Sequence, residues 1–266
     1  MFLTKKALAK IWLLTGACGV MGVLWLVAFF AIEIYLGTSV FAVLAVVCFV
    51  LGLFSYLTGR YSEGKGDLIN RGNKLVLREL KPAEFIRLYE QARDCPDNVV
   101  SKPDFDVLRL LFAAYDSLGQ TEREFEVVEQ MSSIVSKKIP NRVKVIRLSL
   151  LYSIGKVDEA EELYKDALNS KMDMISIAML DDVTKSDRAR ALGDFTVAEA
   201  YHKKQLVNTF PKATPLALVY SHYILADIYL KTDRKDAAKE HLEYCAQNGG
   251  ETKIRLDAIE ALKEFE

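Results

Sequence analysis

The chain changes near residue 59 from continuous hydrophobic sequence to a sequence of periodic polar and apolar positions. Residues 11–32 and 40–57 are two apolar runs without Lys, Arg, Asp or His. A helix of about 20 such residues spans the hydrocarbon core of a bilayer, and the short link EIYLGTS allows only an antiparallel pair. The pattern therefore predicts three N-terminal parts, which are a basic N-terminus (1–10), a two-helix transmembrane hairpin (11–58) and a linker (59–81).

Three other interpretations of the apolar sequence fit it less well than the hairpin does. A single long buried helix is disfavoured because Glu33 and Gly37 interrupt the apolar sequence between the runs. A cleaved signal peptide is disfavoured because the apolar sequence continues well past any cleavage position. A lipoprotein signal is disfavoured because Thr15, not a large aliphatic residue, stands three positions before Cys18.

Small residues recur four positions apart within the predicted spans, a spacing that lets helix backbones approach closely in lipid. The predicted packing residues in the membrane are Thr15, Gly19, Gly22, Cys48 and Gly52. Packing of the hairpin on itself accounts for this spacing, and contact with another membrane protein is the alternative. Because the spans contain no Lys, Arg, Asp or His, we expect no ion or proton pathway within them.

Basic residues flank the two spans on their outer ends and are absent from the link between them. Lys5, Lys6 and Lys10 precede the first span, and Arg60 and Lys65 follow the second. The positive-inside rule then places both termini and the following domain in the cytoplasm. We expect an integral membrane protein, with a bacterial plasma membrane as the simplest location because no organelle signal is visible.

Composition after residue 59 is that of an ordinary solvated protein. All but three of the 35 Lys and Arg and all but one of the 36 Asp and Glu follow Gly59. This near balance of interspersed charges argues against nucleic-acid binding. The four cysteines form no CxxC pair, so the sequence predicts neither a disulfide framework nor a zinc site.

From Pro82 to the C-terminus the pattern is helical, and helix signals recur after turn residues. The segment before it, KLVLREL, is equally consistent with a strand and with a helical turn. Thr214-Pro215 predicts a helix start. Capping boxes are predicted for three pairs, which are Thr121 with Glu124, Asp158 with Glu161, and Thr196 with Glu199.

The segment GKVDEAEELYKDAL shows a spaced pattern of small and large residues behind a glycine. Ala160, Tyr164 and Ala167 follow Gly155 at intervals of five, four and three residues. This pattern resembles the second half of a tetratricopeptide repeat (TPR), in which small residues let two helices approach and an aromatic fills the adjacent groove. It recurs in part behind equivalent positions 119, 193 and 233.

The resemblance covers residues 82–266 and implies an all-α fold of helix-turn-helix repeats with a C-terminal capping helix. Successive turn positions are 36, 38 and 40 residues apart, longer than the 34 of the TPR family. A HEAT-like or irregular α-solenoid therefore fits the same lengths.

In TPR-like folds the first helix of each repeat lines a concave surface that binds proteins. Aligned on the repeat, the predicted peptide- or protein-binding groove consists of Arg109, Arg142, Ser149, Tyr152, Arg190, Tyr220, Tyr223 and Asp227. Tyr and Arg suit such recognition, although packing between helices explains Tyr220 and Tyr223 equally well.

No motif for catalysis, metal binding or a cofactor was found. The three histidines, His202, His222 and His241, stand apart from the cysteines, and no phosphate-binding loop or nucleophile elbow occurs. We therefore expect no enzyme activity and no cofactor. The sequence predicts a membrane-anchored scaffold or adaptor with protein partners. The alternative is an accessory subunit that contacts a membrane enzyme, transporter or envelope-synthesis complex through its transmembrane hairpin.

Overall fold

The computed structural model describes residues 49–52, 66–94, 105–134, 140–207 and 213–265. Every regular element within these ranges is a helix, which confirms the predicted all-α fold. The chain forms two compact units. The first comprises residues 1–70 and 90–102, and the second, which holds the hairpins described below, comprises residues 71–89 and 103–266.

The predicted transmembrane hairpin lies outside the described residues, except for 49–52, which are helical. Thr15, Gly19, Gly22 and Cys48 therefore also lie outside them. A Cβ placed on Gly52 would meet no atom within 4 Å. No helix within the described ranges is both long and apolar enough to cross a bilayer.

Eleven helices are numbered here within the described part of the chain. They are α1 (residues 66–72, continued by the π-helical segment Asn73–Arg78), α2 (Pro82–Arg93), α3 (Phe105–Ser117), α4 (Thr121–Ile134), α5 (Pro140–Ser153), α6 (Val157–Leu168), α7 (Met174–Val183, continued by the π-helical segment Thr184–Arg188 and the turn Ala189–Ala191), α8 (Phe195–Val207), α9 (Pro215–Lys231), α10 (Lys235–Asn248) and α11 (Lys253–Leu262).

Part of the predicted linker 59–81 is helical, because α1 covers residues 66–78. The undecided segment KLVLREL belongs mostly to its π-helical end, where Val76 is buried. Gly72 is buried beside it: a Cβ there would lie 2.7 Å from Phe85 Cε2 and 2.8 Å from Leu110 Cδ1. Glycine at this position therefore allows the close approach of α1 to α2 and α3.

Four helical hairpins, α3–α4, α5–α6, α7–α8 and α9–α10, share one turn geometry. The turn residues Gly119, Gly155, Gly193 and Asp233 have φ values of 64°, 78°, 79° and 57°. In each turn the amide of this residue bonds the carbonyl three residues earlier, and the next amide bonds the carbonyl five residues earlier. This is the left-handed C-terminal cap of an α-helix. The predicted repeat positions therefore coincide with four equivalent turns, a geometry compatible with an α-solenoid.

Five residues after each turn residue, the second helix packs closely on its neighbours. Ala160, Ala198 and Ala238 occupy this position in three hairpins and are fully buried. The first hairpin has Glu124 instead, and only 3% of its surface is exposed. A carboxyl group thus lies in the place that alanine fills elsewhere.

The predicted capping boxes are wrong, because α4, α6 and α8 begin at Thr121, Val157 and Phe195. The residues expected to cap these helices therefore already lie inside them. Two of the glutamates instead join neighbouring hairpins. Glu161 accepts two hydrogen bonds from Arg188, at 2.6 and 2.9 Å.

In the next hairpin, Glu199 likewise bonds an arginine of the following hairpin, which lies in the turn after α9. Arg234 donates to its two carboxylate oxygens at 3.1 and 2.6 Å, and the Tyr229 hydroxyl donates to it at 3.2 Å. The guanidinium of Arg234 lies 4.3 Å from the Tyr229 ring centroid. By contrast, the predicted start of α9 is confirmed, since the Thr214 side chain accepts a hydrogen bond from the Ala217 amide.

The segment that follows α1 closes this unit against its C-terminal helices. Leu80 is buried with residues of α9, α10 and α11, and its carbonyl accepts a hydrogen bond from the Glu251 amide at 2.9 Å. The π-helical end of α1 contacts both α3 and α9. The Lys253 side chain fills the space beside Gly119. The first and last hairpins are therefore connected through the N-terminal segment and α11.

Candidate functional site

The π-helical segment of α7 directs polar side chains toward the first helices of the adjacent hairpins. Asp187 lies in this segment, and only 8% of its surface is exposed. Ser149 of α5 donates to its Oδ2 at 2.5 Å, and Tyr220 of α9 donates to its Oδ1 at 3.4 Å. Ser186 also donates to Oδ1, at 3.1 Å. One carboxyl group therefore joins three successive hairpins, and π-helical turns often occur at functional sites.

We refer to Ser149, Ser186, Asp187, Arg190 and Tyr220 as the Asp187 cluster. Burial raises the pKa of Asp187, while the hydrogen bond from Ser149 and the charge of Arg190 act in the opposite direction. The negative charge of Asp187, together with burial, raises the pKa of Tyr220 well above its ordinary value. Tyr220 therefore stays a hydrogen-bond donor at neutral pH.

A buried histidine contacts the cluster through Ser186. His202 Nε2 lies 2.9 Å from Ser186 Oγ, and its Nδ1 lies 3.3 Å from Ser221 Oγ. Burial and the charge of Arg190 lower the pKa of His202 to about 4, so the ring is neutral at pH 7 and can donate from one nitrogen only. Because His202 lies between two serine hydroxyls and is 1% exposed, its arrangement is not that of a Ser-His-Asp triad.

Arg190 links the cluster to the C-terminal half of α9. Its Nη2 lies 3.7 Å from Asp227 Oδ2, and Lys231 lies 2.9 Å from the same oxygen. The Nε of Arg190 is buried without a hydrogen-bond partner. The guanidinium therefore keeps unused hydrogen-bonding capacity beside the cluster.

A second group of charged residues lies on α3, α4 and α11, near the Asp187 cluster. Asp116 is exposed at the C-terminal end of α3, yet the protein atoms around it desolvate the carboxyl group and, together with the charge of Asp187, raise its pKa to about 6. Burial and the charge of Asp116 raise the pKa of Glu124 to about 7, while Lys253 acts in the opposite direction. Tyr223 of α9 donates to Asp257 Oδ2 at 3.3 Å.

The structure brings together four of the eight residues predicted for the groove. Ser149, Arg190 and Tyr220 belong to the Asp187 cluster, and Asp227 contacts it through Arg190. Tyr223 lies one turn away from Tyr220 on α9 and is half-buried. These residues come from α5, α7 and α9, the first helices of three hairpins.

The other three predicted residues do not join this cluster. Tyr152 is 4% exposed and donates to Glu161 at 2.7 Å, so its hydroxyl forms a hydrogen bond within its own hairpin. Arg142 pairs with Asp173 at 3.3 Å, and this contact ties the start of α5 to the start of α7. Arg109 is exposed on α3.

Sequence reasoning missed Asp187 and Asp116, although the repeat register contains a signal for both. Asp187 stands six residues before its turn residue, as the predicted residues Ser149 and Asp227 do. Asp116 stands three residues before Gly119, the register of Tyr152 and Arg190. The signal for both is that polar residues recur at these two positions of the repeat.

His222 and His241 form a separate pair between α9 and α10. Their Nδ1 atoms are 2.6 Å apart, and the His222 ring stacks on Tyr244 with 3.7 Å between ring centroids. In the part of the chain that the structure describes, no three His, Cys, Asp or Glu side chains are grouped to hold a metal ion. Cys245, also on α10, is a buried free thiol.

Comparison with family models, with curated proteins and with solved structures found no match to this chain.

Proposed function

We propose that the chain is a membrane-anchored scaffold whose C-terminal TPR-like domain binds another protein. In this proposal residues 11–58 anchor the chain in the bilayer, and the face formed by the first helices of the hairpins recognises a segment of the partner. Binding requires no catalytic group or cofactor. Anchoring raises the local concentration of partners that lie at the same membrane.

The observation that carries the proposal is the Asp187 cluster, which lies where three first helices meet. Its hydrogen bonds between α5, α7 and α9 fix the side chains in place before any ligand arrives, which lowers the ordering cost of binding. Half-buried Tyr220, Tyr223 and Arg190 are of the residue types that dominate binding energy in protein interfaces. Four equivalent turns support the TPR-like assignment of the domain that carries this face.

The test is a crosslinking pull-down of the full chain from the membranes of cells that express it, followed by mass spectrometry. The groove variant combines Tyr220→Phe, Tyr223→Phe and Asp227→Asn. These changes keep the hydrogen bond between Ser149 and Asp187, so the variant is expected to fold. A matched control is Arg147→Ala, which removes an exposed arginine from a first helix outside the groove register.

Loss of a captured partner from the groove variant, with retention by Arg147→Ala, is the expected result. Equal capture by all three proteins would contradict the groove proposal. Exchange of residues 11–58 for an unrelated two-span anchor then tests the alternative function. If that exchange abolishes capture while the groove variant retains it, the chain is an accessory subunit that contacts its complex through the hairpin.

A further inference from the structure

The outer side of α7 exposes large apolar side chains near its N-terminus. Met174 is 86% exposed, Ile175 54% and Ile177 55%, and Leu168 at the end of α6 is 59% exposed. The inner side of the same helix, with Ser176, Leu180 and Val183, is buried in the core. We refer to Leu168, Met174, Ile175 and Ile177 as the α7 patch.

A patch of this size is comparable with the largest apolar patch of many monomers, which is often functional. Four large apolar side chains that are each more than half exposed amount to an area on the order of a few hundred Å², the size at which an exposed patch marks an interaction site. The first two turns of α7 are apolar on both sides, and helical turns of this kind are normally covered on both sides. Helix α7 has its inner side covered by the core and its outer side uncovered, which favours a second surface as its missing partner.

The charges at the two ends of the patch have opposite signs. Lys171 is exposed just before the helix, at the end where Asp173 pairs with Arg142, and Asp181 and Asp182 are exposed in the last turns of the helix itself. Asp181 also pairs with Lys185 at 2.6 Å, and both of these side chains remain about half exposed. A surface with a positive end, an apolar centre and a negative end is complementary to itself when it is turned by 180°.

We propose that the α7 patch docks onto the same patch of a second copy of this chain. The two α7 helices then lie antiparallel about a two-fold axis level with Ser176. In this register Met174 of one copy faces Ala178 of the other, and Lys171, in the irregular segment before the helix, lies at the end of the contact that carries Asp181 of the other copy. Ile175 and Ile177 each lie close to their own counterparts, one on either side of the contact.

Three physical features favour this occupant. Antiparallel helices align their dipoles favourably, the apolar centres bury one another, and the attraction between Lys171 and Asp181 occurs twice, once at each end, because the contact is symmetric. An anionic bilayer surface is a poorer fit, since the acidic Asp173, Asp181 and Asp182 lie beside the patch and lipid-binding helices carry basic residues there. The contact is small, so we expect a reversible dimer rather than an obligate one.

Cysteine crosslinking of the full chain in intact cells tests the contact directly. Cys18, Cys48 and Cys95 are replaced by serine, and buried Cys245 is kept. In this background Ile177→Cys is expected to be crosslinked to its own counterpart by a short bismaleimide, because the two positions lie on the same flank of the contact. Leu256→Cys on α11 is the matched control, because Leu256 is 64% exposed and lies outside the patch. We expect at least about fivefold more covalent dimer from Ile177→Cys, since a positioned thiol reacts at a higher effective concentration.

A charge exchange tests the register and the identity of the partner. In the Ile177→Cys chain, Lys171→Asp and Asp181→Lys each replace two attractions by two repulsions, and each is expected to lower dimer yield by about fivefold to tenfold. The double exchange, Lys171→Asp with Asp181→Lys, is expected to restore the yield because the two ends are again opposite in sign. Restoration is specific to a partner that carries the same two residues.

Several outcomes overturn the proposal. Equal dimer yields from Ile177→Cys and Leu256→Cys indicate random collision. A crosslinked product with the mass of this chain plus a different protein identifies another occupant. Failure of the double exchange to restore the yield excludes the antiparallel register. None of these readouts depends on the Asp187 cluster, so they leave the proposed groove function to its own test.

Discussion

Asp233 and Gly193 occupy the same position in two successive hairpins, and both hold a left-handed backbone, with φ of 57° and 79°. Glycine adopts this conformation freely, whereas an L-residue with a Cβ is strained there. The last hairpin therefore keeps the turn of the others at the expense of local backbone strain. This equivalence supports the repeat register that the sequence suggested, although the residue itself departs from the repeat pattern.

Replacing Asp233 with glycine is expected to stabilise the protein. Relief of the left-handed strain is worth about 1 kcal/mol, less the entropy that glycine adds to the unfolded chain. The reverse change, Gly193→Ala, introduces the strain without a steric clash, because a Cβ there meets no atom within 4 Å, and is expected to destabilise by about 1 kcal/mol. Urea titration of the full chain in one detergent measures both. Destabilisation by Asp233→Gly would contradict the equivalence of the two turns.

Gly72→Ala is expected to destabilise the protein by about 1–3 kcal/mol through overpacking. The added methyl group would approach Phe85 and Leu110, and both of these side chains are fully buried. Gly66→Ala is the matched control, because that helical glycine has nothing within 4 Å of a Cβ. Alanine there is expected to be neutral or stabilising. Similar unfolding midpoints for the two variants would show that α1 does not pack tightly on Phe85 and Leu110.

The stability of the Glu124→Gln variant, relative to that of the natural chain, is expected to increase as pH rises. The pKa of Glu124 is raised from 4.5 to about 7, so the folded state binds the proton more tightly than the unfolded state does. The natural protein therefore loses stability as pH rises from 4.5 through 7, by at most about 3 kcal/mol. Glutamine lacks this dependence. Urea midpoints at pH 5, 6, 7 and 8 measure the difference, and Glu122→Gln, at an exposed position on the same helix, is the control. A stability difference for Glu124→Gln that stays constant across these pH values would contradict this account.

The His222 and His241 pair is expected to destabilise the protein in acid. Burial and the charge of His241 lower the pKa of His222 to about 4, and burial lowers the pKa of His241. The unfolded state then binds more protons, so stability falls as pH decreases from 6.5 toward 4, by about 2 kcal/mol.

The double variant His222→Gln, His241→Gln removes both titrating rings and should flatten this decline. Thermal unfolding of the full chain between pH 4 and pH 7 measures it. His202, whose pKa is also lowered to about 4, accounts for a residual slope. An unchanged slope in the double variant would mean that the pair does not carry the dependence.

The sequence allowed prediction of the helical class and the four turns because these depend on local signals. Glycine spacing and small residues at fixed offsets determine turn and contact positions, so Gly155, Ala160 and their equivalents could be assigned. The face of Ser149, Tyr220 and Asp227 also followed from this register. These features require only that one repeat resembles the next.

The remaining features depend on tertiary contacts, which the repeat register does not show even where it marks the position, as it does for Asp187. The π-helical segment that directs Asp187 inward breaks the regular 3.6-residue period of α7. Glu161 and Glu199 were predicted to belong to capping boxes, but they lie in the second turn of α6 and α8, and each bonds an arginine of the following hairpin. Tyr152 satisfied the register of the groove and instead packs within its own hairpin. In each case tertiary contacts override a signal that is correct on local grounds.

The hydrogen bond between Leu80 and Glu251 also has a consequence for where the folded domain begins. Helical repeats usually contact only their immediate neighbours, so contacts between the first and last parts of such a domain are not expected. Here a fragment that starts at Pro82, the boundary suggested by the sequence, would lack Leu80 and expose Val219, Leu242 and Ala258, which pack with it. The smallest self-sufficient fragment therefore has to include the π-helical end of α1. The reason is that the N-terminal segment covers apolar surface of the last three helices.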